Sequence, residues 1–272
     1  MRSTAVALAA LAAVCAGASA RSDEEPTKWE ELFFPFPIVG APPQLEQQVQ
    51  LFASVFTGKE GSAIVPAAEV GFIATPRLGF VAVVPYQFGL SGQPWGFGDA
   101  QFLAQYLAGG SLALDDMVSV GLQLTFPTAQ SGLGSGDLFF GPFVYAAQRF
   151  WHHLIIELNL TASIPTLHGD TARQFLVNGL VSTLVTPRRF RVPVYVQVEV
   201  DTTTYVDGTA ALPPMQTRSP AVTVFVAPEL FVGPVHGVRL AGGVFFNATG
   251  DPVHDVTYSL TAAFDLPNRF GY

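Results

Sequence analysis

The sequence predicts an all-β protein, an antiparallel up-and-down barrel of about twelve strands (ten to fourteen fit) that crosses a membrane. Three observations predict it. Hydrophobic residues make up 49% of the 272-residue chain and charged residues only 12%, against roughly 25% charged in soluble domains. Past residue 20, no uninterrupted apolar stretch approaches the ~20 residues that a spanning helix needs. Long runs instead alternate apolar and polar side chains with a period of two. An apolar chain without spanning helices has one membrane solution left, the closed barrel, in which every backbone donor and acceptor pairs with a neighbouring strand.

The first residues read as a secretory signal peptide, 1–20. Arg2 precedes an apolar run from Ala5 to Ala16, and Ala18-Ser19-Ala20 is a small-x-small cleavage site. The run is too short to span a bilayer. Cys15, the single cysteine, lies inside it, so cleavage leaves no thiol for a disulfide, a metal site or a nucleophile. Residues 21–43 form a separate segment. Ser22-Asp23-Glu24-Glu25 is acidic, and Pro26, Pro35, Pro37, Pro42 and Pro43 break regular structure. The segment reads as a periplasmic extension or as a plug that folds back into the lumen, with the barrel occupying 44–272.

The alternation is cleanest near the end of the chain. Val256, Tyr258, Leu260, Ala262, Phe264 and Leu266 alternate with Asp255, Thr257, Ser259, Thr261, Ala263 and Asp265. A pleated strand turns such residues to opposite faces. Near 190–206, Val192, Val194, Val196, Val198 and Val200 oppose Tyr195, Gln197, Glu199, Asp201 and Thr203. Near 151–165, Leu154, Ile156, Leu158 and Leu160 oppose His153, Glu157, Asn159 and Thr161, and near 112–126 Val120, Leu122 and Leu124 oppose Ser119, Gln123 and Thr125. These runs exceed the five or six residues of an average soluble strand and suit the 9–11 that cross a bilayer at a tilt.

Strands are expected near 45–57, 66–75, 77–89, 97–108, 111–126, 136–148, 151–165, 172–186, 190–206, 218–232, 236–248 and 252–266. Every second connection is then short: Pro76, Gly109-Gly110, Arg149-Phe150, Pro187-Arg188-Arg189 and Gly233-Pro234-Val235. Most of the others are longer, as in Pro127 to Ser135 and Asp207 to Thr217. Short turns at one end and long loops at the other are the asymmetry of a bacterial outer-membrane barrel, with both termini in the periplasm. The closing Phe270-Gly271-Tyr272 partly resembles a signal for the barrel-assembly machinery, although Pro267 interrupts the strand before it. The 23 phenylalanines and 26 glycines suit aromatic girdles and tight turns, and a net charge of −8 argues against nucleic acid as a partner.

Candidate chemistry is sparse. His152 and His153 are adjacent, so they point to opposite faces of a strand and do not converge on a metal. Ser163, His153 and Glu157 share one face of one strand, as a lipid-modifying hydrolase would need. Successive positions on that face are ~6.6 Å apart, too far for a direct relay, and no G-x-S-x-G motif is present. The sequence therefore predicts no catalytic, cofactor-binding or metal-binding residue. It predicts a polar lumen lined by Gln123, Glu157, Asn159, Gln197, Glu199 and Asp201, with Tyr195 adding an aromatic ring and Arg191 entering from the short-turn end. Glu199 and Asp201 would bias permeation towards neutral or cationic solutes.

The middle of the chain carries a further pattern. Gly96-Phe97-Gly98-Asp99 opens a strand, Val120 to Phe126 ends in Pro127-Thr128, and Gly132-Leu133-Gly134-Ser135-Gly136-Asp137 follows. Val226-Ala227-Pro228-Glu229-Leu230 and Ala241-Gly242-Gly243-Val244 form a later pair. Residues 60–266 thereby resemble the outer-membrane family described as transporters of the MetA pathway of phenol degradation. The resemblance implies uptake of aromatic compounds and no catalytic residue. The expected function is passive passage of small, hydrophobic or aromatic solutes through a barrel set in outer-membrane lipid. A lipid-modifying hydrolase, or a structural or adhesive barrel with a closed lumen, stands as the alternative.

Overall fold

The computed structural model describes residues 44–58, 61–90, 94–111, 116–130, 133–150, 153–166, 171–186, 192–206, 221–235, 237–249 and 256–267. The signal peptide and the segment 21–43 lie outside them. The strands are β1 (Gln48–Gly58), β2 (Gly61–Thr75), β3 (Leu78–Leu90), the two-residue β4 (Gly96–Phe97), β5 (Ala100–Ser111), β6 (Asp116–Phe126), β7 (Phe139–Phe150), β8 (Leu154–Pro165), β9 (Gln174–Leu184), β10 (Val194–Tyr205), β11 (Ala221–Val235), β12 (Val238–Asn247) and β13 (Val256–Asp265).

Each strand pairs antiparallel with its neighbour, and the sheet closes on itself. β13 pairs with β1 from Gln48↔Asp265 to Thr57↔Val256, β1 pairs with β2, and β2 pairs with β3. β4 pairs only with β3, at Tyr86↔Phe97 and Gln87↔Gly96, and lies outside the ring. The result is a twelve-stranded barrel, as the alternation predicted. The chain ends meet in a hydrogen-bonded seam, where Leu266 N–H donates to Gln47 O at 2.8 Å and Gln47 Nε2 donates to Pro267 O at 2.5 Å.

The outer surface follows from the pleat. Val196, Val198 and Val200 of β10, Leu230 of β11, Leu240 of β12 and Leu260 of β13 are all exposed. Such a face gains nothing in water and is at home in lipid. Aromatic rings gather towards its rims: Phe72, Tyr106 and Phe264 near the end that holds the termini, and Phe88, Phe126, Phe140, Phe175 and Phe246 near the other. These are the girdle positions of membrane barrels.

Four expected turns move. Gly109-Gly110 lies inside β5 and Gly233-Pro234-Val235 inside β11, where the registers shift between Leu107 and Gly109 and between Val232 and Val235. Gly110 and Gly233 have positive φ, 76° and 125°. That backbone serves a bulge as readily as a turn, which is why the sequence misplaced both. Arg149-Phe150 likewise belongs to β7. β9 ends at Leu184 and β10 begins at Val194, so the link expected at Pro187–Arg189 is longer on both sides. In the opposite sense, β2 starts five residues earlier than expected, because Pro66 is accepted within the strand. Its pairing with β3 steps from Ile64 to Ala67 across the residue that has no N–H to give.

Placing a charge on the outer face measures its contact with lipid. Val198 sits mid-strand and outward on β10. Val198→Arg should lower stability by about 2–4 kcal/mol in lipid vesicles, read by denaturant unfolding. An undiminished midpoint would show that this face does not meet hydrocarbon.

Candidate functional site

The interior is built in layers, and the first is apolar. Leu107, Met117, Ala147, Ile155, Tyr195, Phe231, Ala241 and Ala263, from eight different strands, form one apolar cluster at the end that holds the termini, none more than 8% exposed. Leu184 of β9 and Leu45, just before β1, pack against it. The Tyr195 and Phe231 rings meet edge to face, their centroids 6.1 Å apart. These inward side chains pack against one another across the ring.

The segment leading into β1 runs inside this end. A Cβ on Gly71 would stand 2.6 Å from the backbone oxygen of Glu46, and one on Gly79 would stand 3.2 Å from Leu45 Cδ2. Glycine at these two positions is what admits the extra chain. Arg239 of β12 fastens it: one guanidinium nitrogen lies 2.5 Å from Glu46 Oε1, and the other reaches Asp265 Oδ1 and Gln48 Oε1 at 2.5 Å each. A buried guanidinium held by two carboxylates satisfies charge and geometry together. None of these four residues was among the predicted site residues.

Above the apolar layer, one side of the interior is acidic. Asn159, Asn178 and Asp201 are registered across β8, β9 and β10, and Glu157, Leu180 and Glu199 form the next row down. Below these, Ser182, Gln197 and Glu229 stand side by side on β9, β10 and β11. Asn178 Nδ2 donates to both Glu199 Oε1 and Asp201 Oδ1, holding two carboxylates on one strand together. Beside this wall Phe143 and Tyr145 of β7 stack, centroids 4.3 Å apart. The Phe143 ring lies over Gly121, where any Cβ would collide with it.

At the loop end the interior opens into a cavity of about 490 Å³. Phe56, Phe139 and Leu176 supply apolar walls; Gln87, Gln101, Gln123 and Gln174 supply amides. Gln123 Nε2 donates to Gln101 Oε1 at 3.1 Å. None of the described residues lining it is basic. The loop after β6 folds over the cavity and adds Leu133 and Ser135, and Asp99 pins it there. Its carboxylate accepts from Ala129 N at 3.1 Å, Ser135 N at 2.8 Å and Ser135 Oγ at 3.0 Å. Gln130 N–H adds a bond to Phe97 O at 3.0 Å. The Gly-Phe-Gly-Asp strand start and the glycine-rich loop are thus one substructure, not two motifs.

Seven of the eight predicted lumen residues lie in the described structure. Gln123 lines the cavity, and Asp201 is half-buried on the wall below it. Glu157, Asn159, Gln197 and Glu199 point inward and are buried there, and Tyr195 belongs to the apolar layer. Arg191 lies outside the described residues. Sequence reasoning missed Asn178, Ser182 and Glu229 on the same wall. The signal available was the register of β9 and β11 against β10, which a single strand's alternation does not contain. His153 is exposed beside the β7–β8 turn, whereas Ser163 lines the loop-end cavity. Ten residues of strand separate them, roughly 33 Å, so no Ser-His-Glu constellation forms along β8. No group of three or more His, Cys, Asp or Glu among the described residues is arranged to hold a metal.

No protein-family model and no curated protein matches the sequence. Solved structures do match in shape. An outer membrane channel from Pseudomonas putida F1 aligns over 86% of this chain and 100% of its own, with a TM-score of 0.59 at 11% identity. The NanC porin aligns over 80% and 100%, with a TM-score of 0.56 at 10% identity. The KdgM porin, solved in complex with disordered oligogalacturonate, aligns over 81% and 99%, with a TM-score of 0.53 at 8% identity. At these identities the likeness is one of fold, that of the bacterial outer-membrane β-barrel. A closed barrel with an apolar outer face belongs in that membrane.

Two substitutions test the layers. Phe231→Ala should raise single-channel conductance in planar bilayers while lowering stability by about 3–5 kcal/mol; unchanged conductance would mean that this layer does not close the path. Asp99→Ala removes three hydrogen bonds, each contributing about 0.5–1.5 kcal/mol. It should speed proteolytic nicking within 127–138 by about tenfold or more in limited digestion, and an unchanged rate would mean that Asp99 does not hold the loop.

Proposed function

We propose that this barrel passes small solutes across the outer membrane by passive diffusion, and that its solutes are neutral or cationic molecules with an apolar body. The loop-end cavity carries the reading. Its apolar walls favour a solute that leaves water, and its glutamines can donate or accept hydrogen bonds without demanding a charge. Deeper in, the inward-facing charges among the described residues are mostly acidic: Glu46, Glu69, Glu157, Glu199, Asp201 and Glu229 against Arg149 and Arg239. An anion following this path meets like charge where water is scarce. The oligogalacturonate in the KdgM complex is a polyanion, and the acidic wall here argues for a different cargo.

An aromatic body is the finer part of the proposal. It draws on the stacked Phe143 and Tyr145 beside the path and on the resemblance of Gly96–Asp99 and its partner loop to the transporters of the MetA pathway. The apolar layer favours a second reading, in which the barrel captures a solute at the loop end without passing it on. Proteoliposome swelling separates the two. Phenyl β-glucoside, neutral and aromatic, should enter faster than phenyl phosphate, its anionic counterpart. Equal or reversed rates would overturn the charge selectivity. Absence of swelling, together with measurable binding, would favour the capturing barrel.

A further inference from the structure

We infer that the acidic wall is a binding seat for a small organic cation with N–H donors, an alkylammonium or a guanidinium. The inference rests on the reading of the loop-end cavity as the entrance. Thr161, which lines that cavity, donates to Asn159 Oδ1 at 3.2 Å, and Asn159 stands level with Asn178 and Asp201 at the top of the wall. A solute leaving the cavity floor therefore meets this wall first.

What marks the wall as a seat is its unfilled hydrogen-bonding capacity. Ser182 Oγ, both amide atoms of Gln197 and Glu157 Oε1 are buried with no hydrogen-bond partner, and the Glu229 carboxylate, buried likewise, is met by the carboxyl group of Glu199. Ser182 and Gln197 are 0% exposed, and Glu157 and Glu229 are 4% and 5% exposed. Gln197 is the register partner of both Ser182 and Glu229, so three of these groups adjoin in one row. That row rests directly on Tyr195 and Phe231 of the apolar layer, one inward step below it. Orphaned buried polar atoms are costly, and a contiguous set of them calls for a partner.

The deficit has a sign. The buried polar atoms here are mostly acceptors: carboxylate oxygens and an amide oxygen, against the Gln197 amide hydrogens and one hydroxyl. The nearby amide donor is already engaged, since Asn178 Nδ2 serves Glu199 and Asp201. The missing partner must therefore bring donors, and the surrounding carboxylates call for positive charge as well. A compact metal ion does not suit the arrangement. Glu157 and Glu229 stand three strands apart, roughly 14 Å of wall, whereas a calcium ion needs its oxygens at about 2.3–2.6 Å. An ammonium or guanidinium on a short chain spreads its N–H groups over that span, and the Phe143–Tyr145 stack beside the wall can take its apolar part.

The test is binding, measured without conduction. The refolded chain in detergent is titrated with agmatine, which carries a guanidinium and an ammonium, with putrescine, which carries two ammonium groups, and with tetramethylammonium, which has charge but no N–H. Calorimetry should show saturable binding of agmatine, putrescine or both, and the two arms tell which head group the seat prefers. Tetramethylammonium should bind at least about tenfold more weakly. Glu199→Gln and Glu229→Gln should each weaken the preferred amine by on the order of tenfold or more, while Thr183→Ala, on the outer face of β9, should leave it within about twofold. If one of these variants does not refold, judged by heat-dependent gel mobility, Glu157→Gln carries the same expectation. Tetramethylammonium binding as well as the amines, no saturable binding at all, or amine binding that survives the Gln substitutions would each overturn the seat. Amine binding without solute passage would keep the seat and cost the channel reading; passage without amine binding would do the reverse.

Discussion

A sheet in hydrocarbon can have no free edge, and the pairing of β1 with β13 is what removes it here. That pairing joins residues about two hundred positions apart in sequence, from Gln48↔Asp265 to Thr57↔Val256. The interior side of the seam is fastened by Arg239, whose guanidinium spans Asp265 on β13 and Glu46 ahead of β1. Once the ring is shut, the pleat dictates everything else. Alternate residues must satisfy lipid on one side and their neighbours across the lumen on the other. The long outward valine series of β10 and the polar series opposite it are two consequences of a single register.

Closure also sets the problem of the interior. A twelve-stranded ring lies between barrels filled by their own side chains and the wide porins that hold a water column. This chain uses both solutions at different heights. Near the termini, Tyr195, Phe231, Ile155 and Leu107 pack together inside the ring, and Gly71 and Gly79 make room for Leu45 and Glu46. Near the loops, a cavity remains, roofed in part by a loop that Asp99 holds in place. Polar side chains that an open pore would hydrate are caught between the two, and the orphaned atoms of Ser182, Gln197 and Glu157 are the result.

The same layering explains what could be read from the sequence. β10 and β13 were legible because their inward residues are mainly polar, so the period of two stands out. The strands that build the apolar layer hide their own alternation. β9 turns Leu176, Leu180 and Leu184 inward and Val177 and Val181 outward, so both of its faces are apolar and Asn178 and Ser182 carry no visible pattern. β11 does the same with Phe225, Ala227 and Phe231, which is how Glu229 escaped notice inside a quoted motif. The bulges just before Gly109 and at Gly233 read as turns in the sequence because glycine signals a positive φ, as at Gly110 and Gly233, without saying whether the chain reverses. Pro66 lies inside β2, which extends five residues ahead of it, because a missing N–H forbids a ladder bond but leaves the pleat intact.

The order of the layers gives the barrel a direction. A solute arriving from the loop end first meets amides and aromatic rings, where binding depends on apolar surface and weak hydrogen bonds. It next meets carboxylates grouped around Asn178, and only then the apolar layer. Each step removes more water than the last, so a mismatch of charge costs more the deeper it is carried. An anion with an apolar body can enter the cavity and still fail at the wall. On the proposed reading, a cation gains at the wall part of what it loses in hydration and is held next to Tyr195 and Phe231. Passage beyond that point then depends on whether those two rings part. The polar row beneath Glu199 lies where a held solute would bear on them: Gln197 is two residues from Tyr195 on β10, and Glu229 is two residues from Phe231 on β11.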